Sequence, residues 1–302
     1  MSEDVIKLFC AVDDFCNELQ EKIVSKTIEN QEDKKQRYRI PQLCESEIMT
    51  IVISFQTSGF RTFKQFYLAI QITWKKFFPK MPSYNRFVEL MPRVLVQLTL
   101  FLFAHKGRVT GISFIDSTVI KVCNVKRAKR NKVFRDLAAH GKSTMGWYFG
   151  FKLHIVINEF GQLLAFKVTS GNTDDRAPVK DLTKNIIGKC FADKGYISKK
   201  LFESLFESGL QLITSVKSNM KNKLMPMIDK ILLRKRALIE TVNDQLKNVC
   251  QVEHTRHRSV LNFMVNMLAA LVAYARQERK PCLNFSVFDQ TKGSKDLPTF
   301  IV

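Results

Sequence analysis

Residues 151–168 read FKLHIVINEFGQLLAFKV, and their periodicity decides the fold class. Phe151, Leu153, Ile155 and Ile157 alternate with Lys152, His154 and Val156, which is the repeat of a strand and not of a helix. Asn158-Glu159-Phe160-Gly161 supplies a turn, and Leu164, Phe166 and Val168 alternate again, so the stretch predicts a hairpin. Upstream, the apolar run Val109 to Ile115 predicts another strand. Downstream, Asp174 or Asp175 can open a helix with Pro178 in its first turn. Cys190 to Asp193 is a short strand, Ser198 caps a helix that Gly209 ends, and Leu210 to Val216 is a further strand. Helices fill 226–250 and 258–279. Three strands, helix, strand, helix, strand and closing helices predict an α/β fold, a mixed sheet flanked by helices.

The first hundred residues read differently. Val5, Leu8, Phe9, Val12, Phe15, Cys16 and Leu19 recur at helical spacing. Residues 29–40 form a charged linker closed by Pro41, a second helix fits 45–57, and Ser58-Gly59 breaks it. Thr62 caps a third helix through Trp74, and Ser83 caps a long one reaching His105, bent at Pro92. The expected organisation is an all-helical region over 1–105, an α/β domain over 106–280 and an irregular tail over 281–302. The tight turn at Ser58-Gly59 admits a helix-turn-helix reading, although plain helical bundles contain such turns too.

Charge narrows the partners. The chain of 302 residues carries 48 Lys and Arg against 28 Asp and Glu, a net +20. Such an excess attracts polyanions, and nucleic acid leads. A membrane surface would call for one basic amphipathic helix, whereas here the charge is spread along the chain. The apolar stretches Val94–Ala104 and Val260–Ala275 are short for a membrane span and read as buried helices. Seven cysteines, odd in number and without a Cys-x-x-Cys pair, suit a reducing interior, and a cytoplasmic location is expected.

Two aspartates stand at expected strand ends: Asp116 in Phe114-Ile115-Asp116-Ser117-Thr118 and Asp193 in Phe191-Ala192-Asp193-Lys194-Gly195-Tyr196. A carboxylate that follows a buried run sits at the rim of the core, where it can meet water while its backbone stays fixed. Asp193 can equally serve only to start the turn at Gly195. On a helix from Lys235 to Cys250, Arg236, Glu240 and Lys247 fall within about 40° of one another, away from Leu238, Val242, Leu246 and Val249. Glu240 then lies between two cations, which an ordinary exposed pair also explains, and Asp244 is an equal candidate on geometry alone. Three carboxylates suit phosphodiester chemistry with two Mg²⁺ ions, for which oxygen donors suffice. His254 and His257 have ligand-like spacing but lack a completing set for zinc.

From about Ser46 to Pro281 the chain resembles the insertion-sequence transposases of the DDE type, most closely the family numbered nine-eighty-two. The resemblance rests on Phe114-Ile115-Asp116-Ser117-Thr118, Gly146-Trp147-Tyr148-Phe149-Gly150-Phe151-Lys152-Leu153-His154, Asp193-Lys194-Gly195-Tyr196 and Arg234-Lys235-Arg236-Ala237-Leu238-Ile239-Glu240-Thr241. A broader transposase group has the signature Tyr, two residues, Arg, three residues, Glu, six residues, Lys. Arg236, Glu240 and Lys247 keep those spacings, while Leu233 stands in the tyrosine's place. The resemblance implies an RNase H-like fold with Asp116 on the first strand, Asp193 after the fourth and Glu240 on a late helix, and it selects Glu240 over Asp244. It implies that these three hold Mg²⁺ (with Mn²⁺ as substitute) while DNA is nicked at the element's ends and the freed 3′-hydroxyl is joined elsewhere. Arg236 and Lys247 would hold phosphates. The expected partner is double-stranded DNA, terminal repeats and target alike, and a homodimer is expected from the need to hold two ends.

Lys126, Arg127, Lys129, Arg130 and Lys132, with Lys121 and Arg135, fall in fifteen residues free of acids, as expected of a segment lying along a phosphate backbone. Lys217, Lys221, Lys223, Lys230, Arg234 and Lys235 form a second basic stretch. Trp147 can stack on an unpaired base, or serve as a core or hairpin-edge residue. The alternatives to a transposase are a nuclease without strand transfer and a non-catalytic DNA-binding protein derived from a transposase.

Overall fold

The computed structural model describes residues 2–27, 42–216, 220, 224–250, 252–253 and 257–283. The charged linker over 29–40 with Pro41, the basic residues Lys217, Lys221 and Lys223, His254, and the tail beyond Leu283 lie outside the described residues.

Among the described residues five helices come first: α1 (Ser2–Thr27), α2 (Glu45–Thr57), α3 (Phe63–Thr73), α4 (Tyr84–Leu90) and α5 (Leu95–Ala104). Their starts follow local chemistry. Thr62 accepts a hydrogen bond from the Gln65 amide and Ser83 accepts one from the Arg86 amide, satisfying backbone donors that the helix itself leaves free. Gly59, at φ +75°, ends the turn after α2 in a conformation costly for other residues. At Pro92 the long helix changes to a 3₁₀ turn over Met91–Val94.

Among the described residues six strands form one sheet: β1 (Ile112–Cys123), β2 (Ala139–Ser143), β3 (Gly146–Asn158), β4 (Leu163–Ser170), β5 (Gly188–Ala192) and β6 (Leu210–Thr214). β3 pairs antiparallel with β1 on one side. On its other side lie β2, against residues 146–150, and β4, against 151–157, end to end. β5 joins β1 in parallel and β6 joins β5 in parallel. Setting aside the short β2, the order β4-β3-β1-β5-β6 has three antiparallel strands followed by two parallel ones. This is the RNase H-like arrangement.

The remaining helices are α6 (Val179–Leu182), α7 (Lys199–Glu207), α8 (Met227–Arg234), α9 (Ala237–Asp244) and α10 (Val260–Ala275). Three expectations are corrected here. β1 continues well past Asp116, because Thr118, Val119 and Ile120 are strand formers paired with β3. Pro178 precedes α6 instead of lying in its first turn, and Asp174 is turned to Arg176. The segment 226–250 is not one helix: it breaks at Lys235-Arg236, and Gln245–Val249 forms a wider π turn.

The two faces of the sheet bury different partners. On one, Ile115, Val156, Cys190 and Ala192 pack against Val179, Leu182, Leu201 and Leu205 from α6 and α7. On the other, Phe114, Leu153, Ile155, Ile157 and Phe191 meet α9, α10 and the N-terminal helices in a single core. Helix α10 is the hub. Val265, Met267, Leu268, Leu271 and Val272 are almost wholly buried, each contributing about 1.5–3 kcal/mol. Its polar Asn266 accepts from Gln56 of α2 at 2.9 Å, a buried amide contact that ties the two helices together. The helical run Tyr84–Ala104, 21 residues with mean hydropathy 1.7, is long and apolar enough to cross a membrane. Here Phe87, Leu90, Val94, Leu98, Phe101 and Leu102 are buried in the protein core.

Glycines meet where β2, β3 and β4 join. A Cβ on Gly150 would lie 2.1 Å from the Ile120 carbonyl oxygen. Gly150→Ala should therefore force β1 and β3 apart and lower the unfolding free energy by about 2–3 kcal/mol in urea titration. An unchanged midpoint would contradict this packing.

Candidate active site

Register brings the two aspartates together. Phe114 pairs with Phe191 across the parallel strands β1 and β5, and their rings lie 5.5 Å apart on the same face. Asp116 and Asp193 each follow two residues later, on that same face and at the same level. Neighbouring strands are about 4.8 Å apart, which brings the two aspartates to adjacent positions at the ends of the paired register. Asp193 is exposed, immediately after β5 and at the start of a 3₁₀ turn, Lys194–Tyr196. Asp116 is more enclosed because β1 runs on beyond it.

Helix α9 supplies the third group. Leu238, Ile239 and Val242 are buried in the core, which turns the edge bearing Arg236, Glu240 and Asn243 toward β1. Asn243 donates its Nδ2 to Asp116 Oδ2 at 3.1 Å. Arg236 donates Nη2 to Glu240 Oε1 at 2.5 Å, and its Nη1 lies 3.8 Å from Asp116 Oδ1. Burial pushes the Asp116 carboxyl up to about 6, opposed by Arg236 and by the Ser117 amide and reinforced by the negative charges of Glu240 and Asp193. Glu240 and Asp193 are thus both near enough to act on Asp116.

Lys247 takes a different direction. The π turn carries it to Glu253, with Nζ 3.8 Å from Oε2, while Glu253 Oε1 accepts from the Lys121 amide of β1. Lys126, Arg127, Lys129, Arg130 and Lys132 are all exposed on and after the 3₁₀ turn Val125–Arg130, which follows β1 and is anchored by buried Ala128 and Phe134. Trp147 is 64% exposed near the start of β3, which rules out a core position, and Lys142 Nζ lies 6.0 Å from its ring centre. In the N-terminal region α3 presents Leu68 and Ile72 outward, with Lys64 its one cation.

Sequence reasoning missed several supporting residues. Asn243 falls in the same helical arc as Arg236 and Glu240, about 20° from Arg236, so the arc itself was a signal. On the other face of β1, Ser117 donates to Asp175 Oδ1 at 2.8 Å, and Lys152 bridges Asp175 at 3.0 Å and the Thr173 carbonyl at 2.8 Å. Tyr196 is buried; that burial, with Asp116 and Asp175 nearby, holds its phenol protonated. These contacts fasten the strand that carries Asp116 to the loop after β4, and no local pattern announces them.

Oxygen donors from Asp116, Asp193 and Glu240, without cysteine or histidine, fit a hard divalent ion such as Mg²⁺. A positive group, the Arg236 guanidinium, already stands between two of them. Among the described residues no three His, Cys, Asp or Glu side chains are drawn tightly enough to share one metal ion.

A family model described as a transposase DDE domain matches residues 106–260, just over half of the chain. The chain belongs to the DDE transposase family. No curated protein matches it. Among solved structures, the Mos1 strand transfer complex is 11% identical, with 86% of this chain and 84% of that one covered at a TM-score of 0.24. A pre-cleavage Mos1 transpososome is 12% identical, with 83% of each chain covered and a TM-score of 0.21. Scores so low carry no structural inference, and the fold of this transposase rests on its strand order.

The raised carboxyl of Asp116 has a consequence for stability. Its folded-state value lies above the ordinary 3.8, so the folded protein holds this proton more tightly than the unfolded chain. That contribution is complete below pH 3.8 and is lost as pH rises through about 6. With EDTA present, Asp116→Asn should be more stable than wild type above pH 6, on the order of 2–3 kcal/mol. The gap should close as the pH falls to about 4. Equal urea midpoints at pH 7.5 would count against the burial assigned to Asp116.

Proposed function

We propose that this transposase binds the terminal repeats of an insertion sequence, of the family numbered nine-eighty-two, and both cleaves DNA and joins it to a new site. The reading is supported above all by the register that sets Asp116 level with Asp193 beneath the Glu240 edge of α9.

In this reading Asp116, Asp193 and Glu240 hold Mg²⁺, with Mn²⁺ as substitute. Held there, the metal would supply activation of an attacking oxygen and stabilisation of a leaving one. Hydrolysis and joining are both in-line displacements at phosphorus, so one set of carboxylates serves water in the first step and a 3′-hydroxyl in the second. Asn243 fixes the Asp116 rotamer through its amide donor, and Ser117, Asp175 and Lys152 hold the strand from behind. Arg236 grips a phosphate beside the reacting bond, and Lys247, turned to Glu253 near Lys121, contacts a phosphate farther along β1. β1 leads away from Asp116 to Cys123, roughly 23 Å at 3.3 Å per residue, and delivers the basic turn. Lys126, Arg127, Lys129, Arg130 and Lys132 would then contact the duplex about seven base pairs from the reacting phosphate. The protein acts as a homodimer holding two DNA ends, on chromosomal DNA in the bacterial cytoplasm.

Asp116→Asn, Asp193→Asn and Glu240→Gln should each lower cleavage of terminal-repeat duplex at least about a hundredfold, with duplex binding retained in a gel-shift assay. Normal cleavage by any of the three would refute its assignment. Joining of a pre-nicked repeat end to plasmid tests strand transfer, and a protein that cuts without joining would be a nuclease. Replacing Lys126, Arg127, Lys129, Arg130 and Lys132 by Gln should flatten the salt dependence of duplex binding. The log–log slope should fall by about 0.9 for each lost phosphate contact, equally for all sequences.

A further inference from the structure

Arg236 does more than pair with a neighbour on its own helix. Its side chain is only 18% exposed, and its two terminal nitrogens face carboxylates on different elements. Nη2 donates to Glu240 Oε1 at 2.5 Å, and Nη1 stands 3.8 Å from Asp116 Oδ1. The other Asp116 oxygen, Oδ2, accepts from Asn243 at 3.1 Å. Both oxygens of Asp116 therefore face donors, and a guanidinium joins the two carboxylates that a divalent ion would join. An ordinary surface pair four residues apart would need Glu240 alone, without the reach to β1. A guanidinium and a dication cannot hold the same Asp116 oxygen, because like charges a few ångströms apart in a partly buried site repel strongly.

We propose that Arg236 is a resident counter-cation of the carboxylate site: without metal or DNA it holds Asp116 against Glu240, and it must leave Asp116 before a divalent ion can bind. The inference rests on the reading of Asp116 and Glu240 as metal-holding residues. Once displaced, the guanidinium is free to take a DNA phosphate. A duplex that captures Arg236 removes the metal's competitor. By linkage, DNA and metal then tighten each other's binding by the same factor. The site is thereby kept weak for metal until DNA is in place.

The test is Mn²⁺ binding to the full chain, followed by titration calorimetry and by the paramagnetic resonance of the free ion, with no activity readout. Arg236→Gln is expected to bind Mn²⁺ about tenfold more tightly than wild type in the absence of DNA. Arg236→Lys, which keeps the charge but cannot span both carboxylates, is expected to fall between the two. A mixed-sequence duplex should tighten Mn²⁺ binding by wild type and leave Arg236→Gln nearly unchanged. Asp116→Asn serves as the control for the site. If it binds Mn²⁺ as wild type does, the metal reading fails and this inference with it. If Asp116→Asn loses Mn²⁺ while Arg236→Gln binds no more tightly than wild type, the site stands and the counter-cation does not. Should Arg236→Gln fail to fold, Arg236→Lys decides alone: tighter binding supports the proposal, and equal or weaker binding overturns it.

Discussion

Acidic groups crowded at the edge of a hydrophobic core repel one another and lose hydration at the same time. Everything around Asp116 answers that constraint. Phe114 and Phe191 lie beneath it, so the strand that presents it is firmly packed and the carboxylate is partly desolvated. Compensation comes from one helix edge. Arg236 brings the charge and Asn243 the hydrogen bond, and both reach Asp116 only because Leu238, Ile239 and Val242 seat α9 in the core. The apolar side of α9 thus governs the electrostatics of its polar side.

The sheet is gripped from its other face as well. Ser117 points opposite to Asp116, and its hydroxyl is tied through Asp175 to Lys152 and the loop after β4. Adjacent residues of β1 therefore serve two separate networks, one beside the reacting groups and one behind them. Such a strand has little freedom to slide, which suits a centre whose geometry depends on register.

Much of this was legible in the sequence. Alternation over residues 151–157 gave the central strand, and Thr62, Ser83 and Ser198 cap the helices expected of them. Asp193 follows its strand as its neighbours predict. What could not be read depends on tertiary contacts. β2, Ala-His-Gly-Lys-Ser, has no strand-like pattern and exists because β3 offers it an edge. Arg236 to Lys247 looked like one face of an unbroken helix. The π turn at Gln245–Val249 alters the angular spacing and sends Lys247 to Glu253, while the Arg236–Glu240 half of the prediction lies before the turn and holds. The link from Arg236 to Asp116 joins residues distant in the chain, beyond the reach of any spacing rule.

The position of α10 bears on how the chain acquires its structure. This helix, residues 260–275, fills the space between α2, α5 and the sheet, and Gln56 finds its partner at Asn266, 210 positions further along the chain. During synthesis the early helices have a major burying surface withheld until α10 has left the ribosome. Contacts so distant close slowly, because the intervening loop must be ordered before they repay its entropy. Docking of the early helices consequently waits for α10, and apolar surface on α2 and α5 needs shielding until then.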